Sequence, residues 1–561
     1  MIHLFGRTKK EESASGASGE NAGETGQPGG AAGAGGAAPA VGAAATDGRK
    51  WGVLAIISMA VFIMVIDTTI MNVSISALVV DLNTDVPTIQ AIIAIYALTM
   101  ASFMLIGGKL QDVLGRKKAF LIGVGIYGVG TFTASMSWNA AVLLIGWSIF
   151  EGLGAILMMP ATTTFLTSTY QGRDRAVAFG VWGGIGAAGA AFGPIIGGYL
   201  TTFYSWRWAF RIELLVVIII LLMSYLLTDS RPTLKWRDLD VVGTLLSFAG
   251  LCAIVMGILL LRNYELWQYI STLIGAGLLL MGVFFLWQKR RKTKGRVPLV
   301  DVAIFRSRSF VLGNSICVLQ NLTLAGFFFI IPVFYQQVTG ISAFETGLLL
   351  LPISIAIFIF SIAGARLAAF LSPKHLIMIG LLLGITGSFM LRGIFGLDTG
   401  SAEFIPGSVV FGIGSGIILS QVTNLTLSAV PDRHATDAAG VLNTLRQLGT
   451  SLGTALIGVI LIIFIYTGII GEIEHQAAIA GIPTEEVAAG LHGWVDKMQT
   501  GTPDLVVPDA VLAQLTEIIN SAISAGMLHC FDAIAIFLGI AFLAALFLPR
   551  RAQPAGREEE P

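Results

Sequence analysis

The sequence predicts an all-α polytopic membrane protein of 14 transmembrane helices, built as two pseudo-symmetric six-helix bundles with two extra central helices, N-in and C-in. Three observations predict it. Only 12% of the 561 residues are charged and 55% are hydrophobic, about half the charge that a soluble domain carries. Fourteen segments hold about 20 or more mostly apolar residues, the length at which a helix crosses a hydrocarbon core of about 30 Å with its backbone satisfied internally. Two stretches 257 residues apart are related, and internal repeats in transporters place the substrate path at the repeat interface.

Taken in order, segments 51–80 and 88–110 lead to a connection holding Lys109, Arg116, Lys117 and Lys118. Segments 119–137 and 140–161 lead to Arg173 and Arg175, and segments 176–201 and 208–227 to Arg231, Lys235 and Arg237. Segments 239–261 and 267–287 are the extra pair, followed by Lys289, Arg290, Arg291, Lys292, Lys294, Arg296, Arg306 and Arg308. Segments 310–338, 344–370, 375–397, 404–430, 438–470 and 527–548 complete the second bundle. The opposite connections hold only Arg207, Arg211, Arg262, Arg392 and Lys497 of the 34 bases, so the positive-inside rule places both termini in the cytoplasm.

The predicted organisation is a disordered cytoplasmic tail 1–48, an N-terminal bundle 49–228, the extra pair with a cytoplasmic loop 229–309, a C-terminal bundle 310–551, and a tail 552–561. A long extracellular loop, 471–526, carries eight acidic residues against Lys497. Asp509 after Pro508 reads as a helix start, with Val511, Leu512, Leu515, Ile518 and Ile519 on one face.

The formal net charge is zero, which removes the basic field that a nucleic-acid partner needs. Cys252, Cys317 and Cys530 lie apart in apolar runs and read as packing residues, not a disulfide or metal framework. No Gly-x4-Gly-Lys-Ser/Thr loop occurs, which excludes ATP hydrolysis by that route, and no catalytic triad, metal spacing or cofactor loop points to an enzyme. The expected energy source is an ion gradient, with about 2.3 kcal/mol per charge per 100 mV from the potential alone.

The repeat pairs the string from Gly107 to Lys117 with that from Gly364 to Lys374, matching a Gly, a base, a Leu and a closing Lys. Gly152-Leu153-Gly154 likewise echoes Gly412-Ile413-Gly414. The string Gly108-Lys109-Leu110-Gln111-Asp112-Val113-Leu114-Gly115-Arg116-Lys117-Lys118 resembles the loop signature of the major facilitator superfamily. Gly108 and Gly115 would permit a turn and close approach, with Asp112 and Arg116 forming a charge-assisted conformational latch. Gly189-Ala190-Ala191-Phe192-Gly193-Pro194-Ile195-Ile196-Gly197-Gly198 is similar to that superfamily's antiporter motif. Its small residues allow close packing and Pro194 favours a kink; the resemblance implies a role in export and in closing the extracellular side.

Ile66-Asp67-Thr68-Thr69-Ile70-Met71-Asn72-Val73, Trp206-Arg207-Trp208-Ala209-Phe210 and Arg446-Gln447-Leu448-Gly449 resemble the 14-helix drug:proton antiporter family. Three positions depart from it: Ser76 replaces a usual Pro, Glu213 a usual Asn, and Ser148-Ile149-Phe150-Glu151-Gly152 replaces a fourth-helix string of Arg, two residues, Gln and Gly. The Arg that the family's scheme uses is absent.

A carboxylate inside a span costs several kcal/mol unless protonated, paired or facing water. Asp67 lies about 21 Å in from a cytoplasmic boundary near Val53 and Glu151 about 14 Å in from an outer boundary near Val142 at 1.5 Å per residue, so the two are expected at similar depths. They are the expected proton-coupling residues; either one could also bind a cationic substrate in exchange for its proton. The alternative has Glu151 hydrogen-bonded, protonated, to Ser148 or a backbone carbonyl, with Asp67 titrating alone.

Asn72, Gln320, Asn321, Gln421, Asn424, Asn443 and Arg446 are the expected polar groups of a substrate cavity, with Phe328 and Tyr335 among its apolar walls. No metal or other cofactor is expected. The partners are a small-molecule substrate, protons and the lipid bilayer of the plasma membrane, without nucleic acid, and the chain is expected to act as a monomer. The functional expectation is a proton-coupled antiporter exporting lipophilic or cationic compounds. An exporter of one endogenous metabolite or lipid, or a non-transporting receptor on a transporter fold, are the alternatives.

Overall fold

The computed structural model describes residues 47–549 apart from 230, 231, 233, 263–265, 369, 396–400, 432–434 and 480–508. The tails and the middle of the long acidic loop lie outside the described residues. All regular structure described is helical. Thirteen of the described helices are long and apolar enough to cross a membrane; the sequence expects fourteen spans. The segment expected to be the third is a 20-residue helix, Arg116–Ser135, that opens on three bases and carries four glycines.

In the first half, α1 (Asp47–Val73) stops at Ser74 and resumes as the short α2 (Ile75–Asp81), so the expected single segment 51–80 is broken. The Ser74 hydroxyl bonds the Ile70 carbonyl at 3.0 Å and Thr201 Oγ1 at 2.7 Å. Next come α3 (Val86–Leu114), capped by Asp85 accepting from the Thr88 N–H, and α4 (Arg116–Ser135). The fourth segment begins as α5 (Ala140–Leu143), passes through a π-helix at Leu144–Glu151 and continues as α6 (Gly152–Thr169). Then follow α7 (Gly172–Phe203) and α8 (Arg207–Met223).

The extra pair, α9 (Val241–Leu259) and α10 (Trp267–Thr293), pack on each other, and α9 also rests on α3 and on the helix Ala435–Ile479 of the second half. Asp240 ties the base of this pair together by accepting from the Gly243 N–H, Trp287 Nε1 and Gln288 Nε2.

The second half comprises α11 (Arg308–Gln337), α12 (Ala343–Leu349), α13 (Leu351–Leu367), α14 (Pro373–Arg392), α15 (Ser401–Ser428), α16 (Ala435–Ile479) and α17 (Asp509–Leu546). Helix α17 begins at Asp509, the residue that the sequence marks as a helix start, and runs unbroken into the last span. Helices α16 and α17 therefore extend into the expected loop 471–526, where Ile518 and Ala522 cluster with Ile469 just before it.

One buried core runs through both halves. The halves meet along α3 and α16, where Gln90 Nε2 donates to the Thr454 and Ala455 carbonyls and Ser451 Oγ to the Ala94 carbonyl. They also meet where α7 packs against α12 and α13.

Candidate functional site

The fourth segment reaches its neighbour through glycine. A Cβ at Gly130 of α4 would stand 2.6 Å from both the Gly146 oxygen and the Glu151 nitrogen, and one at Gly154 would stand 2.6 Å from the Tyr127 nitrogen. Backbones can approach this closely only where side chains are missing. The π-helix lies in this contact and ends on Glu151; such segments close each hydrogen bond one residue further along than an α-helix and recur at functional sites.

Around that turn, three helices deliver carboxyl groups into one buried spot: Asp67 from α1, Glu151 from the π-helix and Glu213 from α8. All three are at most 2% exposed, and one oxygen from each lies within 4.8 Å of the others. Trp147 Nε1 donates to Asp67 Oδ2 at 2.7 Å, and the Tyr127 hydroxyl donates to Glu213 Oε2 at 3.2 Å. Tyr96 stacks on Trp147 at 5.4 Å, and Phe210 meets its edge at 6.2 Å.

Asp67 Oδ1, both Glu151 oxygens and Glu213 Oε1 are buried with no hydrogen-bond partner among the described residues. No ion pair among the described residues reaches any of the three. Ser148, offered by the sequence as a partner for Glu151, instead donates to the Ile92 carbonyl at 2.7 Å.

The sequence predicts Asp67 and Glu151 at similar depths, and it does not predict Glu213 as their neighbour. Its signal was present as an acid where the drug:proton antiporter family usually has Asn. Three carboxyl groups in a low-dielectric spot cannot all be ionised without a compensating cation. Protonation of one or more of the three, or a bound cation, would relieve the repulsion. The donor set is oxygen-only, the type that suits hard cations, and among the described residues it is the carboxylate group whose spacing would also admit a metal ion, which the sequence does not foresee.

At the basic end, Gly115 adopts φ 87° between α3 and α4, a left-handed conformation suited to Gly. The expected close approach at Gly108 is corrected, because a Cβ there would meet nothing within 4 Å. The tight position is Gly107, whose Cβ would overlap the Ile156 carbonyl. Asp112 feels the charges of Lys109, Arg116 and Asp437, and among the described residues an ion pair from Lys109 Nζ to Asp437 Oδ1 at 3.0 Å joins the two halves. Asp437→Lys should shift the equilibrium between open states about five-fold, as loss of roughly 1 kcal/mol would. The double exchange Lys109→Asp/Asp437→Lys should return it. Reporter-cysteine labelling from either side checks this, and an unchanged ratio in the single variant would show that the Lys109–Asp437 pair does not bias the two states.

At the far end of α7, the antiporter motif packs on both halves. A Cβ at Gly193 would overlap Thr69, and one at Gly197 would stand 2.8 Å from the Ile70 Cα. Gly198 closes on Ala343 and Phe344 of α12, while Gly347 of α12 closes on the Pro194 carbonyl. Gly189 is less constrained, its nearest atoms being 3.5 Å away. The motif therefore clamps the two halves at the end opposite the Lys109–Asp437 pair.

The expected substrate-cavity residues separate. Gln320, Asn321 and Arg446 line one cleft with Cys317, Ile418, Leu419, Val422 and Thr423. Gln421 sits beside it but donates to the Gly364 carbonyl at 2.7 Å. Tyr335 does not line that cleft. It belongs to a closed aromatic cluster, with Phe404 at 5.6 Å and Phe334 at 5.2 Å, because α11 turns that face into the core. Phe328 stacks edge-on against Phe327 at 5.8 Å. Asn72 donates back to the Thr68 carbonyl at 2.9 Å, Asn424 is exposed, and Asn443 is half-buried outside the cleft.

Many apolar spans, two packed halves and a buried acidic site between helices define a multi-pass membrane transporter. The family profile of the Major Facilitator Superfamily matches residues 57–248 and 239–454, and the chain belongs to that superfamily. It is 27% identical over 92% of its length, and 95% of the relative's, to the tetracenomycin C resistance and export protein of Streptomyces glaucescens. It is 25% identical to the multidrug efflux pump LfrA of Mycolicibacterium smegmatis, covering 85% of this chain and 96% of that one. The probable actinorhodin transporter of Streptomyces coelicolor is 27% identical, over 79% of this chain and 77% of its own. In fold, the chain is similar to an inward-facing, unoccupied bacterial homologue of the human lysosomal transporter Spinster, with TM-score 0.61, 16% identity and coverage of 91% and 100%.

Proposed function

We propose that this protein is a proton-coupled antiporter of the plasma membrane that exports lipophilic or cationic organic compounds by alternating access, with both termini in the cytoplasm. The observation that carries the reading is the cluster of Asp67, Glu151 and Glu213, buried together within 4.8 Å and without a basic partner among the described residues. Competition between protons and a positively charged substrate for this cluster couples the two fluxes without the fourth-helix Arg. The clamps at opposite ends of the halves support two alternately open states, as secondary transporters require. The names of the relatives, resistance and efflux proteins, favour export.

A second reading, export of one endogenous compound, is favoured by relatives named for a single compound, tetracenomycin C and actinorhodin. One assay tests both. Everted vesicles with an acidified lumen should release protons on addition of substrates from a panel of lipophilic cations, neutral drugs and lipids. A response to many cations supports the first reading and a response to a single compound the second. Silence across the panel overturns both.

A further inference from the structure

The cleft in the second half is chemically opposite to the carboxylate cluster. Its charged member is Arg446, which makes no ion pair among the described residues. One guanidinium nitrogen, Nη2, donates to Thr423 Oγ1 at 3.1 Å, while Nε is buried with no hydrogen-bond partner. Gln320 is 2% exposed, lines the same cleft, and leaves both its amide nitrogen and its amide oxygen without partners. Asn321 spends its amide nitrogen on the Cys317 carbonyl at 2.8 Å.

A buried amide with both ends unmet is costly, and a partly buried cation with no counter-charge is costlier still. Both are relieved by the same ligand. An oxyanion on the guanidinium makes charge-assisted bonds in the geometry for which Arg is suited, and the Gln320 amide nitrogen supplies another donor. Ile418, Leu419 and Val422 provide an apolar wall beside these groups. The enclosed space is about 10 Å³, room for about one water-sized group, so the cleft takes one polar end of a larger molecule whose body lies outside it. Arg446 lies 11 residues into α16, about 16 Å along the helix and within the apolar span Asp437–Glu472.

We propose that the cleft formed by Arg446, Gln320, Asn321 and Thr423 binds the carboxylate of an amphiphilic organic substrate, so that the exported class includes compounds with an acidic group. This rests on the export reading above, but its test needs no gradient and no transport, so the two fail separately.

The purified full-length protein in neutral detergent is titrated with 2-naphthoate, 2-naphthamide and 2-naphthylmethylamine, and binding is followed as ligand-dependent thermal stabilisation. Naphthoate should bind at least ten-fold more tightly than the amide or the amine. Arg446→Gln should lower naphthoate affinity ten-fold or more and erase the preference over the amide. Arg446→Lys, which keeps the charge without the fork, should fall between. Gln320→Leu, expected to lose several-fold, serves as the second variant should Arg446→Gln not fold. Equal binding of naphthoate and naphthamide by the wild-type protein, absence of naphthoate binding, or full naphthoate affinity in a folded Arg446→Gln protein would each overturn the proposal.

Discussion

Asp67→Asn and Glu151→Gln should each reduce substrate-driven proton release from everted vesicles by about 100-fold or more. A carboxylate held within a span represents several kcal/mol of electrostatic free energy, and each 1.4 kcal/mol is about a factor of ten. Both substitutions keep shape and hydrogen-bonding capacity while removing the titrating proton. Folded variants should still equilibrate substrate down its own gradient, which separates loss of coupling from loss of the protein.

Glu213→Gln is the informative third member. Its amide can still accept from the Tyr127 hydroxyl, which donates at 3.2 Å in the wild type, so the packing survives and the third proton site is lost. Release should persist with fewer protons per substrate. Unimpaired coupling in all three variants would remove the carboxylate cluster from the mechanism.

The second large effect is expected at a residue with no chemistry of its own. Gly130→Val should destabilise the protein by about 1–3 kcal/mol, the range for overpacking a close contact, and should also abolish coupling. The added atoms would stand 2.6 Å from the Glu151 nitrogen and 2.8 Å from its Cγ, displacing the π-turn that positions this carboxyl. Gly125 on the same helix is the control, since a Cβ there would meet nothing within 4 Å. Gly125→Ala should be neutral or stabilising by up to about 1 kcal/mol, as expected for Ala over Gly in a helix. Thermal melting in detergent alongside vesicle proton release reads both effects. A Gly130→Val protein with wild-type melting and coupling would show that the helix contact does not hold Glu151 in place.

Asp67 and Glu151 could be read in the sequence because an acid in a long apolar run is costly wherever the fold places it. Glu213 could not be read the same way. It follows Arg207 and Arg211 at the start of its span, where the surrounding charges suggest an interface. Two residues apart on an α-helix is a rotation of about 200°, so Arg211 and Glu213 point to opposite sides of α8. Arg211 lies over the Trp208 ring, 5.1 Å from its centroid, while Glu213 enters the core. Likewise, the loop motif marks Gly108 by its pattern, yet the residue that touches Ile156 is its neighbour Gly107. The π-turn at Leu144–Glu151 leaves no mark in a run of apolar residues.

By itself, the sequence determined the class of protein, most of its spans and two of the three buried acids. A bilayer imposes length and polarity on each segment separately, so those properties are written locally. Only the tertiary structure decided that three carboxyl groups share one spot, that Arg446 and Gln320 share another, and that Tyr335 belongs to packing. These facts depend on how each helix is rotated against its neighbours. A shift of one residue turns a side chain by about 100°, and that rotation is set by close glycine contacts distributed across the chain.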